Sequence, residues 1–165
     1  MLSGLNDQQG VVWALLNLGV TARYRQDLSR AKIYLTHSLE RSERIAYREG
    51  IAWSLNQLGA VSRLHQDYRL AEEQQSRSLE GHRDLGNRWR AASVLDELAA
   101  VSLAVGDPEL ATAQLGAADQ LRRELGAPVP KAEQPLRQQT VSSARSLVGP
   151  AFPALSMAGM VTNAG

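Results

Sequence analysis

The stretch WALLNLG, residues 13–19, returns forty residues later as WSLNQLG, residues 53–59. Sliding the chain against itself by forty residues aligns it in three copies without a gap. A fixed period of this length is typical of repeat proteins built from small helical or mixed units. The aligned sets are Leu15, Leu55 and Leu95; Leu18, Leu58 and Leu98; Gly19, Gly59 and Ala99; Asp27, Asp67 and Asp107; and Ala31, Ala71 and Ala111.

The first half of each copy predicts an amphipathic helix. Leu15, Leu18, Gly19 and Ala22 follow each other at i, i+3, i+4 and i+7, so they share one helix face. Glycine costs up to about 1 kcal/mol in a helix interior relative to alanine. Its place on the apolar face therefore indicates that a second helix approaches closely there.

The second half of each copy predicts another helix, which begins after an aspartate. An Asp side chain can accept from the free amides of the first helical turn. In the third copy, GDPE (residues 106–109) adds a glycine before the cap and a proline at the first helical position. We therefore expect a helix of about 15 residues, a tight turn and a second helix of about 18. Gln75 stands where the other copies have Leu35 and Leu115, and is the weakest match.

These hairpins predict an all-α protein, a right-handed α-solenoid of three hairpins plus a C-terminal capping helix. Each hairpin alone leaves an apolar face uncovered, and stacking on its neighbours would complete the core. Only 5% of the residues are aromatic, which suits closely packed Leu, Ala and Val. The uncharged tail from Val148 leaves open whether that end is ordered. The expected divisions are repeats at about 10–49, 50–89 and 90–126 within an array over 1–126, and a segment 127–165 with a proline-containing linker, a capping helix at about 131–147 and the tail.

The order Leu, two residues, Leu-Gly and, twelve residues after the glycine, Ala resembles the tetratricopeptide repeat. The longer unit of forty residues, with GIAWSLNQLG (50–59) and LGAADQLRRELGAPVP (115–130), resembles the C-terminal arrays of LuxR-type and ATPase-containing bacterial transcriptional regulators. The resemblance implies a non-catalytic protein–protein interaction module that serves signal transduction. It also implies protein partners, or other domains of the same regulator.

Composition and motifs indicate no catalytic, metal-binding or nucleotide-binding site. The net charge of +1 predicts no direct nucleic-acid contact, and the chain has no Cys for disulfides or thiolate metal sites. The N-terminus lacks the pattern of a signal peptide, which predicts a cytoplasmic location, and the uncharged tail is a poor match to a membrane span. The two lysines, Lys32 and Lys131, belong to no phosphate-binding loop. We expect no enzyme activity and no cofactor.

Charged clusters also have ordinary structural explanations. His37, His65 and His82 lack metal-ligand spacing, so we expect no metal site and exposed histidines. The adjacent carboxylates of Asp96 and Glu97 point about 100° apart on a helix, which does not suit a shared proton. Two arginine-rich segments with interleaved glutamates predict solvated helix faces with ion pairs. These segments are Arg41, Arg44 and Arg48, and Arg122 with Arg123.

The candidate partner-binding residues lie on the face of each first helix that the hairpin partner leaves uncovered. Exposed Trp, Tyr and Arg are typical interface anchors. The competing interpretation places Trp13 and Trp53 in the core between successive repeats. An alternative function is small-molecule sensing, with an inducer bound in the groove around Trp13, Asn56 and Asp96. The candidates are Trp13, Leu16, Val20, Arg23, Tyr24, Trp53, Asn56, Arg63 and Asp96.

The first residues of the chain also align with the repeat. Leu5 aligns with Ile45 and Leu85 at the end of a second helix, which indicates a fragment of a longer array, or else an irregular N-terminal cap. In both cases one apolar face of the first helix lacks a neighbour. Uncovered apolar surface favours association, so a homo-oligomer through this edge is expected.

Overall fold

A computed structural model describes residues 2–162, with side chains for residues 3–160. The described chain is almost entirely helical and contains no strand, which confirms the all-α prediction. It divides into two compact units, one ending at Leu85 and the other beginning at Gly86. The α-helices are α1 Leu2–Tyr24, α2 Leu28–Arg44, α3 Arg48–Leu64 and α4 Tyr68–Asp84 in unit 1, and α5 Arg88–Ala104, α6 Pro108–Leu125, α7 Gln134–Val148 and α8 Phe152–Thr162 in unit 2.

The three predicted aspartate caps are confirmed. Asp27 accepts from the backbone amide of Arg30 at 3.1 Å, and Asp67 accepts from that of Leu70 at 3.2 Å. Asp107 does the same with Leu110 at 3.0 Å. Each carboxylate satisfies an amide that has no partner within the helix, so α2, α4 and α6 begin at the next residue.

From α2 to α6 the helices are more even in length than expected, since α2 to α5 each have 17 residues and α6 has 18. Helix α1 is longer, with 23 residues, and continues through Leu5, which corrects the expectation that a second helix ends there. Short turns separate each helix of this series from the next. One residue in or beside each turn has a positive φ, and these residues recur every twenty positions. Three are glycines, and three carry a side chain. The set is Gln26, Ala46, Gln66, Gly86, Gly106 and Gly126.

Replacing Gln66 with glycine should stabilise the protein by about 1 kcal/mol. The left-handed conformation destabilises a residue that has a Cβ by about 1–2 kcal/mol. Glycine removes this strain, but it also raises the conformational entropy of the unfolded chain, which offsets part of the gain. Gln66 has φ +64°. Urea unfolding would measure the change, with Gln66→Ala as a control that should leave the stability nearly unchanged. Equal midpoints for both variants would contradict the explanation.

Unit 1 consists of two antiparallel hairpins, α1–α2 and α3–α4, with α3 packed on α2 and α1. Small residues mark the close approaches, as predicted: a Cβ on Gly19 would touch Leu35, and one on Gly59 would touch Gln75. Leu18 differs from the expectation of a covered face. It is 49% exposed, whereas the aligned Leu58 is 5% exposed, because Leu58 packs into the apolar core of unit 1 and no described helix covers that side of α1.

Unit 2 contains the third hairpin, α5–α6, and two further helices packed on it. The uncharged segment from Val148 includes α8, which lies directly against α6. Gly116 and Gly159 face the partner backbone at this crossing, where a Cβ would fall on the carbonyls of Ser156 and Ala113. The capping helix α7 contacts both α5 and α6. Two helices, instead of one, therefore cover the third hairpin.

Candidate protein-docking faces

Six of the nine predicted site residues lie on α1 and α3 of unit 1 at exposed or half-buried positions. The two tryptophan rings meet edge to face, with centroids 5.7 Å apart and an angle of 71° between the planes. The Arg23 guanidinium lies 4.3 Å from the centre of the Tyr24 ring, and Tyr24 is 48% exposed. The other members are half-buried. We call this set the aromatic face; it comprises Trp13, Val20, Arg23, Tyr24, Trp53 and Arg63.

A hydrogen-bonded relay holds one end of this face. Trp13 Nε1 donates to the Tyr47 hydroxyl at 3.0 Å, and that hydroxyl donates to Glu49 at 3.2 Å. Burial raises the pKa of Tyr47, an effect that the charge of Glu49 increases and the Trp13 hydrogen bond opposes. Trp13 and Trp53 also pack against the apolar core of unit 1. They therefore serve the core in part, as the competing interpretation expects, while remaining partly exposed.

Three of the predicted site residues lie in the interior. Leu16, Asn56 and Asp96 are 2%, 2% and 3% exposed, so the structure does not place them on a groove surface. They occupy one aligned position of the repeat, and each first helix turns this position toward the second helix of its own hairpin. The neighbours of each residue match it in polarity. Leu16 lies in an apolar cluster, Asn56 pairs with an amide side chain, and Asp96 pairs with an arginine.

Asn56 forms a buried amide pair with Gln75 in the second hairpin. Asn56 Nδ2 donates to the Gln75 side-chain oxygen at 2.9 Å, and Gln75 Nε2 donates back to the Asn56 carbonyl at 2.9 Å. In the first hairpin the same two positions hold Leu16 and Leu35, which share an apolar cluster. The mismatch that the repeat alignment assigned to Gln75 is therefore one half of a matched exchange.

Replacing Gln75 with leucine should destabilise the protein by about 1–3 kcal/mol, because the Asn56 amide would remain buried without that partner. The double variant Asn56→Leu with Gln75→Leu reproduces the pair of the first hairpin and should recover most of the loss. Chemical denaturation of the two single variants and the double variant forms a complete cycle. Additive losses in the double variant would contradict the pairing.

Asp96 is the centre of a charged cluster in unit 2. Arg122 donates to it at 2.6 Å, and Arg137 of α7 bridges it to Asp119. Burial raises the pKa of Asp96, and the neighbouring charges of Arg137 and Arg122 oppose this shift. Two guanidinium groups therefore surround the Asp96 carboxylate and compensate its charge. We call these four residues the Asp96 cluster.

The remaining charged residues differ in part from their predicted roles. Arg122 is buried, which corrects its placement on a solvated face. His82 is also fully buried, with its ring 5.9 Å from that of Trp53, which corrects the expectation of exposed histidines. Arg48 does pair at the surface, with Asp84 at 3.6 Å, and Glu43 pairs with Arg77 at 3.8 Å. These ion pairs join different helices.

One further cavity, of about 760 Å³, runs along α7. Between residues 3 and 160, no three His, Asp or Glu side chains are grouped as a metal ion would require. No helix in the described part of the chain is both long and apolar enough to cross a membrane. The cavity is lined by Val129, Gln134, Arg137, Gln138, Val141, Ser142, Arg145 and Ser146.

The sequence contains a signal for the buried amide pair. Polar residues depart from the apolar pattern twice within the second hairpin, at Asn56 and Gln75, where the first hairpin has Leu16 and Leu35. Two departures in facing helices indicate a compensating pair. Arg122 carries no such signal, because the positions aligned with it hold the polar residues Ser42 and His82, and Glu133 and Arg137 lie outside the repeats.

The comparisons with known proteins agree with this architecture. Residues 10–84 match a family model described as tetratricopeptide repeat. No curated protein and no solved structure matches the chain. The matched segment covers α1 to α4 apart from the first turns of α1, so it includes both hairpins of unit 1. Together with the all-α packing of adjacent helices, the match supports a tetratricopeptide-like helical repeat array over residues 10–84.

Proposed function

We propose that this chain is a non-catalytic docking module that binds a protein partner on the aromatic face. The observation that supports it most strongly is the grouping of Tyr24, Arg23 and the Trp13–Trp53 pair on one side of a repeat array of a type that serves protein–protein interaction. Such residues contribute most of the binding energy in protein interfaces. Val20 and Arg63 extend the same surface.

In the finer form of the proposal, the module is the C-terminal regulatory part of a bacterial transcriptional regulator in the cytoplasm, acting in signal transduction. The forty-residue unit supports this assignment by its resemblance to the arrays of such regulators. Its partner would be another protein or another domain of the same regulator. Reading the gene upstream of Met1 tests this directly, since a nucleotide-binding or DNA-binding domain in the same frame would agree with it, and an unrelated domain would contradict it.

Crosslinking from the aromatic face tests the docking role. A photoreactive residue at position 24 should capture a partner in cells, and Arg23→Ala with Tyr24→Ala should weaken binding of that partner about 30-fold or more, as expected for interface anchors worth about 2 kcal/mol or more. Arg25→Ala, an exposed change just past the end of α1, is the matched control. Equal binding by both variants would remove the aromatic face from the proposal.

A homo-oligomer through α1 is part of the same proposal. Leu5, Val11 and Leu18 are 44%, 40% and 49% exposed on a helix with few charges, and such apolar surface favours association. Sedimentation of the protein should show a dimer that Leu18→Glu dissociates. A monomer at all accessible concentrations would argue against this contact and leave the aromatic face untouched.

Small-molecule sensing is the second candidate, and the cavity along α7 supports it. Its volume of about 760 Å³ lies in the usual range of about 300–1,000 Å³ for ligand sites. Asn56 and Asp96 are committed to internal partners, so the inducer would bind here and not around them. Thermal-shift screening of metabolites, repeated with Ser142→Leu to fill the cavity, would show a hit that the variant loses. Stabilisation that persists in Ser142→Leu would place the ligand elsewhere.

A further inference from the structure

Helix α7 and the residue before it contact positions of α5 that correspond, in the forty-residue alignment, to positions of the aromatic face on α1 and α3. Glu133, just before α7, accepts from Ser93 at 2.6 Å and from Arg90 at 3.1 Å. The forty-residue alignment places Ser93 and Leu103 of α5 at the two ends of the corresponding stripe. The aligned sets are Trp13, Trp53 and Ser93, and Arg23, Arg63 and Leu103.

Three residues of this segment contact the hairpin in chain order. Glu133, Arg137 and Val141 are spaced four residues apart, so they project along one side of a helix. Glu133 binds at the start of α5, Arg137 reaches Asp96 in its middle, and Val141 packs with Leu103 against the apolar cluster near its end. The segment is thus a helical ligand with an acidic, a basic and an apolar contact in sequence.

Helix α7 is held by polar contacts of Glu133 and Arg137 and by small apolar contacts of Val141 and Ala144. Its buried residues are Arg137, Thr140 and Ala144, and its Leu147 is 65% exposed. A buried ion pair contributes little net stability, because desolvation of both charges offsets much of their attraction. Helix α6, by contrast, buries aliphatic side chains such as Leu115 and Leu121. Helix α7 should therefore separate from the hairpin more readily than α6.

Both ends of α7 remain attached when it separates. Residues 127–130, which include two prolines, precede the short 3-10 helix Lys131–Glu133 that leads into α7. Gly149, with φ +56°, follows the last residue of α7. Helix α8 stays fixed on α6 through the close approach at Gly116 and Gly159. A tethered ligand of this kind competes at an effective concentration in the millimolar range. An external helix must overcome that competition before it binds.

We propose that α7 is a displaceable internal ligand of α5, and that a partner helix with the order Glu-x3-Arg-x3-Val takes its place. This inference rests on the proposed docking function and adds its regulation: α7 keeps the third hairpin closed until such a helix arrives. The partner chemistry follows from the groups that α7 satisfies, which are Arg90 with Ser93, Asp96, and the apolar cluster beside Leu103.

A synthetic peptide of residues 128–149 is the probe, with full-length chain as the receptor. In the double variant Glu133→Gln with Arg137→Gln, the internal ligand loses its charges, while Asp96 keeps Arg122 as a partner. Fluorescence anisotropy should then show at least tenfold tighter peptide binding than with the unmodified chain. Arg145→Gln, an exposed change on the same helix whose guanidinium lies over the Phe152 ring, should bind the peptide as the unmodified chain does.

A peptide carrying Arg137→Glu should fail to bind, because it would place a carboxylate against Asp96. Hydrogen exchange of the unmodified chain should show α7 opening faster than α6 and α8. Exchange of α7 together with α6, or equal peptide binding by the double variant and Arg145→Gln, would make α7 a permanent part of the fold and overturn the inference. The probe does not touch the aromatic face, so this failure is distinct from loss of the partner captured there.

Discussion

Replacing Asp96 with asparagine is expected to destabilise the protein by about 3–5 kcal/mol. Arg122 and Arg137 are both buried and both direct guanidinium groups at this carboxylate, so the change leaves two buried charges without their main counter-ion. Breaking a buried ion pair by removing one partner costs an amount of this size. Urea unfolding followed by circular dichroism would measure it.

Asp119→Asn is the matched control. Asp119 also binds Arg137, but its side chain is 46% exposed, so water can compensate and the loss should stay within about 1 kcal/mol. A second comparison replaces the cluster with apolar residues, as Asp96→Leu, Arg122→Met and Arg137→Met together. This variant should recover much of the stability. Similar losses for Asp96→Asn and Asp119→Asn would show that the charges of the Asp96 cluster are not coupled.

Replacing Gly159 with alanine should detach α8 from α6, with a loss of about 3 kcal/mol. The added Cβ would fall on the backbone carbonyl of Ala113, and backbone cannot move aside as a flexible side chain can. Helix propensity alone predicts the opposite sign, since alanine is better than glycine by about 1 kcal/mol. The direction of the change therefore separates packing from propensity. Hydrogen exchange in residues 152–162 should rise sharply.

Gly10→Ala provides the control for that experiment. A Cβ at Gly10 has no neighbour within 4 Å, so propensity should prevail and the variant should gain up to about 1 kcal/mol. Gly116→Ala, on the other side of the crossing, should reproduce the loss. A stabilising Gly159→Ala would mean that α8 does not approach α6 closely.

The local features of the fold could be predicted because each depends on residues a few positions apart. The caps of Asp27, Asp67 and Asp107 satisfy amides three residues away, and the spacing of Leu55, Leu58 and Gly59 is that of one helix face. The candidate site was less predictable. Tyr24 is exposed and the Arg23 guanidinium lies against its ring, but the interior position of Asn56 depends on a partner in another helix.

The sequence by itself determined the repeat period, the hairpins and the start of each second helix, since these follow from short-range hydrogen bonds and helical spacing. The tertiary structure decided which polar residues are buried and where the last two helices pack. Asp96 reaches Arg137 across 41 positions, and α8 docks through glycines that have no side chain to form a pattern. Such contacts depend on close packing and charge compensation between distant segments, which no local periodicity encodes.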